Sequence, residues 1–192
     1  MIVIPENVKG LIFDCDGTLV DSMPLHMKAW EYAMNKFNSV FDYDFFFSPK
    51  GMDEKKIIEM YNLKYKTILD PVETVKVKHE YYRDHISAVR AITPIVSLVK
   101  KYKNTLPMAV GSGSIKEFVY AQLKTVGIFD CFTVILTADD PIKPKPEPDI
   151  FLEAAKHLHV EPEDCLVFED GDPGIETAQK AGMMVIDVRN YI

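Results

Sequence analysis

The apolar residues change rhythm along the chain. The run Leu11-Ile12-Phe13 stops abruptly at Asp14-Cys15-Asp16-Gly17-Thr18. A short continuous apolar run reads as a strand buried on both faces. From residue 22 the rhythm becomes helical. Leu25, Ala29, Tyr32, Ala33 and Phe37 share one face of a helix over Pro24–Phe37, with Pro24 suited to its first turn. Ile57, Ile58 and Tyr61 predict a second helix over Asp53–Tyr61. A third runs over Pro71–Ile86, with Asp70 as N-cap and Pro71 at the first position. The aromatic stretch Phe41–Phe47 reads as core of this helical module rather than as a ligand platform. No parallel-strand pattern occurs in it, so residues 22–90 form a helical cap inserted after the first strand.

Beyond Thr93 the pattern alternates. Helices are expected over Pro94–Tyr102, Ser114–Val126, Pro148–Leu158 and Gly174–Ala181, the second and fourth closed by Gly127 and Gly182. Between them lie strands at Met108–Val110, Phe132–Leu136, Cys165–Phe168 and Met183–Val188. Alternation of this kind predicts an α/β fold, a doubly wound parallel sheet with helices on both faces. The core then consists of residues 1–21 and 91–192.

Open α/β sheets bind ligands at the carboxyl ends of their strands. The first strand ends in Asp14 and Asp16, whose carboxylates alternation places on one side. Two like charges so close call for a cation, and oxygen ligands suit a hard one such as Mg2+. A calcium loop is excluded because Gly17 follows Asp16 directly, without a third ligand. Cys15, pointed away by alternation, is not read as a nucleophile. The second strand ends in Gly111-Ser112-Gly113-Ser114, a small hydroxyl between glycines where a helix opens, suited to an anion. Its spacing fits neither a dinucleotide fingerprint nor a P-loop. Prolines stiffen the segment Lys143–Pro148 in an extended form, holding a lysine at little entropic cost. The fourth strand ends in Glu169-Asp170-Gly171-Asp172.

Asp14-Cys15-Asp16-Gly17-Thr18-Leu19-Val20-Asp21-Ser22 resembles the first motif of the haloacid dehalogenase-like (HAD) superfamily. Lys145–Phe151 and Glu169–Ile175 resemble its later ones. The resemblance spans nearly the whole chain and is weakest over residues 40–90. It points to the β-phosphoglucomutase-like and fructose-1-phosphate phosphatase branch. It implies that Asp14 attacks phosphorus and that Asp16 is acid and then base, its proton affinity raised by cap closure. Ser112, Gly113 and Lys145 would hold the phosphoryl oxygens. Mg2+ would be held by Asp14, the main-chain carbonyl of Asp16, Asp170 and Glu169. His26 and Ser114 would contribute to substrate binding. Lys143 replaces Lys145 if the register slips, and Pro144 stands where the family often has Gly.

The implied function is a Mg2+-dependent phosphatase acting on a small sugar phosphate. The alternative is a β-phosphoglucomutase. Mutase relatives carry a cap arginine shortly after the glycine matching Gly51, where this chain has Glu54. They also carry a lysine after the serine matching Ser114, where this chain has Ile115. Lys50 or Lys116 could stand in. A non-catalytic phosphosugar-binding relative would lack one essential group, and none is missing.

Composition narrows the partners. The 192 residues are 47% apolar and 27% charged, those of a globular protein with a sizeable core. A net charge of −7 disfavours nucleic acid but not a small phosphorylated metabolite, since a metal and a lysine reverse the field locally. No apolar run suits a membrane span or a signal peptide. Cys15, Cys131 and Cys165 read as reduced thiols, consistent with a cytoplasmic enzyme.

Overall fold

The computed structural model describes residues 2–48 and 52–192. Lys50 and Gly51, invoked above for the mutase alternative, lie outside the described residues. Two compact units result, one of residues Met1–Asp21 and Val89–Ile192, the other of Ser22–Ala88.

The first unit is a sheet unit. Strand β1 spans Gly10–Phe13, and β2 (Val20–Asp21) pairs antiparallel with β3 (Arg90–Ala91). The second unit supplies helices α1 (Met23–Lys36), α2 (Tyr43–Phe47), α3 (Glu54–Tyr65) and α4 (Pro71–His85). The sheet unit then continues through α5 (Thr93–Tyr102), β4 (Met108–Gly111), α6 (Lys116–Thr125) and β5 (Val134–Leu136). It closes with α7 (Asp149–Leu158), β6 (Cys165–Glu169), α8 (Asp172–Lys180) and β7 (Met184–Asp187).

The five long-range strands run parallel in the order β5-β4-β1-β6-β7. All residues of β1, β4 and β6 are buried, as both covered faces of a parallel sheet require. Ile12, Ala109 and Val167 pack with Phe151, Ala154, Leu158 and Ala178 of α7 and α8. By alternation Leu11 and Phe13 face the other side. Helices α5 and α6 bury Ile95, Val99, Phe118 and Val119. The chain order departs from β1 towards β4 on one side and returns to β6 on the other. That reversal puts a crevice beyond the carboxyl ends of β1 and β6.

Several elements differ from expectation. α6 starts at Lys116 rather than Ser114, because Ile115 is still extended. So Ser112 does not sit at the helix N-terminus. α8 starts earlier, at Asp172, with Pro173 in its first turn. α3 continues past Tyr61 to Tyr65, whose ring lies tilted against that of Tyr61 at 4.5 Å. The proline segment turns rather than extending, Glu147 N–H donating to the Pro144 carbonyl at 3.0 Å. Proline favours turns as readily as extended chain.

The helical unit has its own core of Trp30, Met34, Phe46, Ile58 and Tyr61, joined by Phe41 and Phe45. The aromatic stretch thus packs inward, Trp30 on Phe46 at 4.8 Å. Inside this unit lies a buried charge. The Lys78 side chain is 0% exposed and its ammonium pairs with Glu54 Oε1. Its Nζ also stands 3.0 Å from His26 Nδ1 and over the rings of Trp30 and Tyr82. The second oxygen of Glu54 meets His79 Nε2 at 2.5 Å. Burial alone would raise the Glu54 carboxyl, but Lys78 and His79 outweigh it and hold it below the usual range. Glu54→Ala would leave the ammonium buried without its countercharge, and about 3 kcal/mol of stability should be lost. Lys78→Met should cost less, since methionine fills the same space and Glu54 reaches solvent. Urea denaturation of both variants checks the order; equal losses would contradict it.

Candidate active site

Five backbone features build the site in the sheet unit. Asp14 directly follows β1, its N–H bonded to the Phe168 carbonyl at 3.0 Å. Gly17 turns the chain with φ +84°, a conformation that a side chain resists. A Cβ there would also overlap the Asp170 carboxylate. Ser112 follows β4, its N–H tied to the Leu136 carbonyl of β5 at 3.0 Å. Glu169 ends β6 and Asp170 follows. Gly174, in the first turn of α8, leaves the space that Glu169 fills, since any Cβ would overlap Glu169 Oε1.

The side chains converge. Lys145 Nζ lies 2.7 Å from Asp14 Oδ1 and 2.7 Å from Glu169 Oε1, with the Phe151 ring at 4.9 Å. Glu169 Oε2 accepts from the Gly171 N–H at 2.6 Å. Asp170 accepts from Thr18 Oγ1 at 3.2 Å. Oxygens of Asp14, Glu169 and Asp170 all lie within 4.8 Å of one another. Lys145, and not Lys143, is therefore the lysine at the strand ends; Lys143 pairs with Asp149 at 3.6 Å.

Asp16 belongs to a different neighbourhood. Its two oxygens accept from Ser114 Oγ at 2.6 Å and from Gln122 Nε2 at 2.9 Å. Its side chain is not part of the carboxylate cluster. Ser112 is buried, and its hydroxyl oxygen accepts from the Ser114 N–H at 3.1 Å. Gly113 is exposed between them. His26 lies in the helical unit, stacked on Tyr82 at 4.4 Å. Gln122 is a contact that sequence reasoning missed. Its only trace was its place with Phe118, Val119 and Leu123 on the buried face of α6.

The charges are unbalanced. Burial pushes the Asp14 carboxyl well up; Lys145 opposes the shift, and Glu169, Asp170 and Asp16 add to it. Burial would lower Lys145, but Asp14 and Glu169 outweigh it and keep it protonated. Asp14 and Glu169 thus share the Lys145 ammonium with Asp170 beside them, and a hard cation with oxygen ligands fits the donor set. Cys15 is fully buried and its thiol is pushed well up by that burial, so it is no nucleophile.

Known proteins resemble the chain over most of its length. The family model described as "Haloacid dehalogenase-like hydrolase" matches residues 11–188. Fructose-1-phosphate phosphatase YqaB of Escherichia coli is 35% identical over 184 residues, covering 96% of this chain and 98% of that protein. Beta-phosphoglucomutase of Bacillus subtilis is 30% identical, covering 94% and 83%. The crystal structure of beta-phosphoglucomutase from Clostridium difficile superposes with a TM-score of 0.79 at 31% identity, covering 93% of this chain and 83% of that one. The chain belongs to the haloacid dehalogenase-like hydrolases.

Proposed function

We propose that the protein is a Mg2+-dependent phosphatase of a small sugar phosphate, fructose 1-phosphate being the first candidate, working through a phosphoryl group carried on Asp14. The observation that supports this most is the division of labour between the two aspartates. Asp14 faces an ammonium and two further carboxylates, whereas the Asp16 oxygens accept from the Ser114 hydroxyl and the Gln122 amide. Environments that differ so much suit two carboxylates to different roles.

Asp14 attacks phosphorus in line, and the bond from phosphorus to the sugar oxygen breaks. Asp16, carrying a proton, gives it to that oxygen as it leaves. Exclusion of water around bound substrate favours the protonated carboxyl needed for this step. Water then attacks the phosphorus of the aspartyl phosphate and gives its proton to Asp16. Phosphate leaves and Asp14 is restored. Lys145, the Ser112 hydroxyl and the Gly113 N–H supply donors to the phosphoryl oxygens. Mg2+ would be held by Asp14, Asp170, the Asp16 main-chain carbonyl and Glu169, and bound there would neutralise developing charge on the phosphoryl oxygens.

A mutase must also grip a second phosphate. In place of a cationic side chain, position 54 holds a carboxylate paired with Lys78 and His79. Ile115 is apolar, and Lys116 lies over the Tyr120 ring at 5.3 Å. These residues favour hydrolysis.

Phosphate release should be measured over a panel of hexose and other sugar phosphates with Mg2+, beside an isomerisation assay on β-glucose 1-phosphate with a bisphosphate primer. Hydrolysis should dominate, and excess chelator should lower it by about a hundredfold or more, reversibly. Full activity in chelator contradicts the metal. Steady isomer with little free phosphate contradicts the phosphatase.

A further inference from the structure

The Gln122 side chain is fully buried within α6, on a face otherwise made of Phe118, Val119 and Leu123. Leucine would fill such a place without the cost of burying an amide. The amide is instead engaged at both ends. Its Nε2 donates to Asp16 Oδ1 at 2.9 Å, and its Oε1 accepts from the Cys15 thiol at 3.0 Å. The two bonds fix one orientation. A carboxylate can only accept, so the NH2 end faces Asp16, and the oxygen accepts from the Cys15 thiol.

The turn that follows β1 makes this chain of bonds possible. Cys15 points away from the aspartates on either side of it, into α6. The helix then carries the contact back to Asp16. Ser114 holds the other Asp16 oxygen at 2.6 Å, so the carboxylate is gripped on both oxygens by uncharged donors.

The geometry points to Gln122 as a positioning residue for the Asp16 carboxylate, oriented in its turn by the Cys15 thiol. This rests on Asp16 being the proton donor of the phosphatase reaction proposed above. A misplacement of an acid by an ångström can cost on the order of a hundredfold in rate. Gln122 touches no reacting atom in this account, so its loss should appear in turnover and not in substrate binding.

The test is a double-mutant cycle on the intact chain with Mg2+. Gln122→Leu and the volume-conserving Gln122→Met are each made alone and with Asp16→Asn, and thermal midpoints are recorded for all. On the best sugar phosphate, each single Gln122 variant should lower kcat about tenfold or more while KM stays within about twofold. With Asp16→Asn already present, the same change should cost less than about twofold, because the group it serves is gone. The p-nitrophenyl phosphate burst gives a second reading. Its leaving group departs without a proton, so the burst rate should fall far less than turnover on the sugar phosphate. Losses that multiply in the double variants, an unchanged kcat in both single variants, or an equal loss in the burst overturn the inference. So does misfolding of both apolar variants, since that assigns Gln122 to the core. An active wild type with an insensitive Gln122 removes only this inference. A wild type that releases no phosphate from any sugar phosphate or from p-nitrophenyl phosphate removes the proposed function and this inference with it.

Discussion

Asp14→Asn is expected to lower phosphate release by at least about a thousandfold on every substrate tested. The amide keeps the size of the carboxylate and loses its nucleophilic oxygen. It also removes a charge that the site tolerates poorly. Burial raises the Asp14 carboxyl, which means the folded protein binds that proton more tightly than the unfolded chain does. Ionised Asp14 therefore opposes folding above its native pKa, and the opposition fades as pH falls through that value. At neutral pH the variant should keep its thermal midpoint or gain a little, while Lys145 retains Glu169 at 2.7 Å. Lost activity with a retained fold is the signature of a nucleophile. Near wild-type release from the variant contradicts the assignment.

Asp16→Asn should lower turnover on alkyl phosphates by about a hundredfold to ten thousandfold, the usual span for removal of a general acid or base. The two half-reactions should respond unequally when the leaving group needs no proton. With labelled p-nitrophenyl phosphate the first step should survive and the second should stall. Acid quenching should then leave label on the peptide that contains Asp14, in greater amount than for wild type. Wild-type turnover on a sugar phosphate, or no retained label, counts against Asp16 in these roles.

The sheet was legible because its strands are buried on both faces. Leu11–Phe13, Met108–Val110 and Cys165–Phe168 are continuous apolar runs that end in chemistry, and the structure sets them side by side. The antiparallel pair of β2 and β3 was not legible. Two residues on each side carry no period, and Asp21 and Arg90 lie far apart in sequence. Helix ends marked by glycine were the easiest to read. Gly127 and Gly182, with φ of 70° and 71°, mark the ends of α6 and α8 plainly. Ser114 looked like the opening of α6 but serves Asp16 instead.

The site was legible at positions whose residue type is expensive to keep. Carboxylates and a lysine at the ends of apolar strands need each other or a ligand. Gln122 was not legible, because a glutamine in a helix is ordinarily solvated and its partners Cys15 and Asp16 lie more than a hundred residues away. The bond between Lys78 and Glu54 was hidden for the same reason. Two long charged side chains on separate helices give no hint in sequence that one is fully buried.

Everything chemical depends on phosphorus visiting Asp14 before water reaches it. A sugar phosphate made chiral at phosphorus with oxygen isotopes should be hydrolysed in isotopically labelled water and the configuration of the released phosphate determined. Two successive in-line displacements, one by Asp14 and one by water, predict retention. Inversion means that water attacks the substrate directly, and it would contradict the covalent role of Asp14.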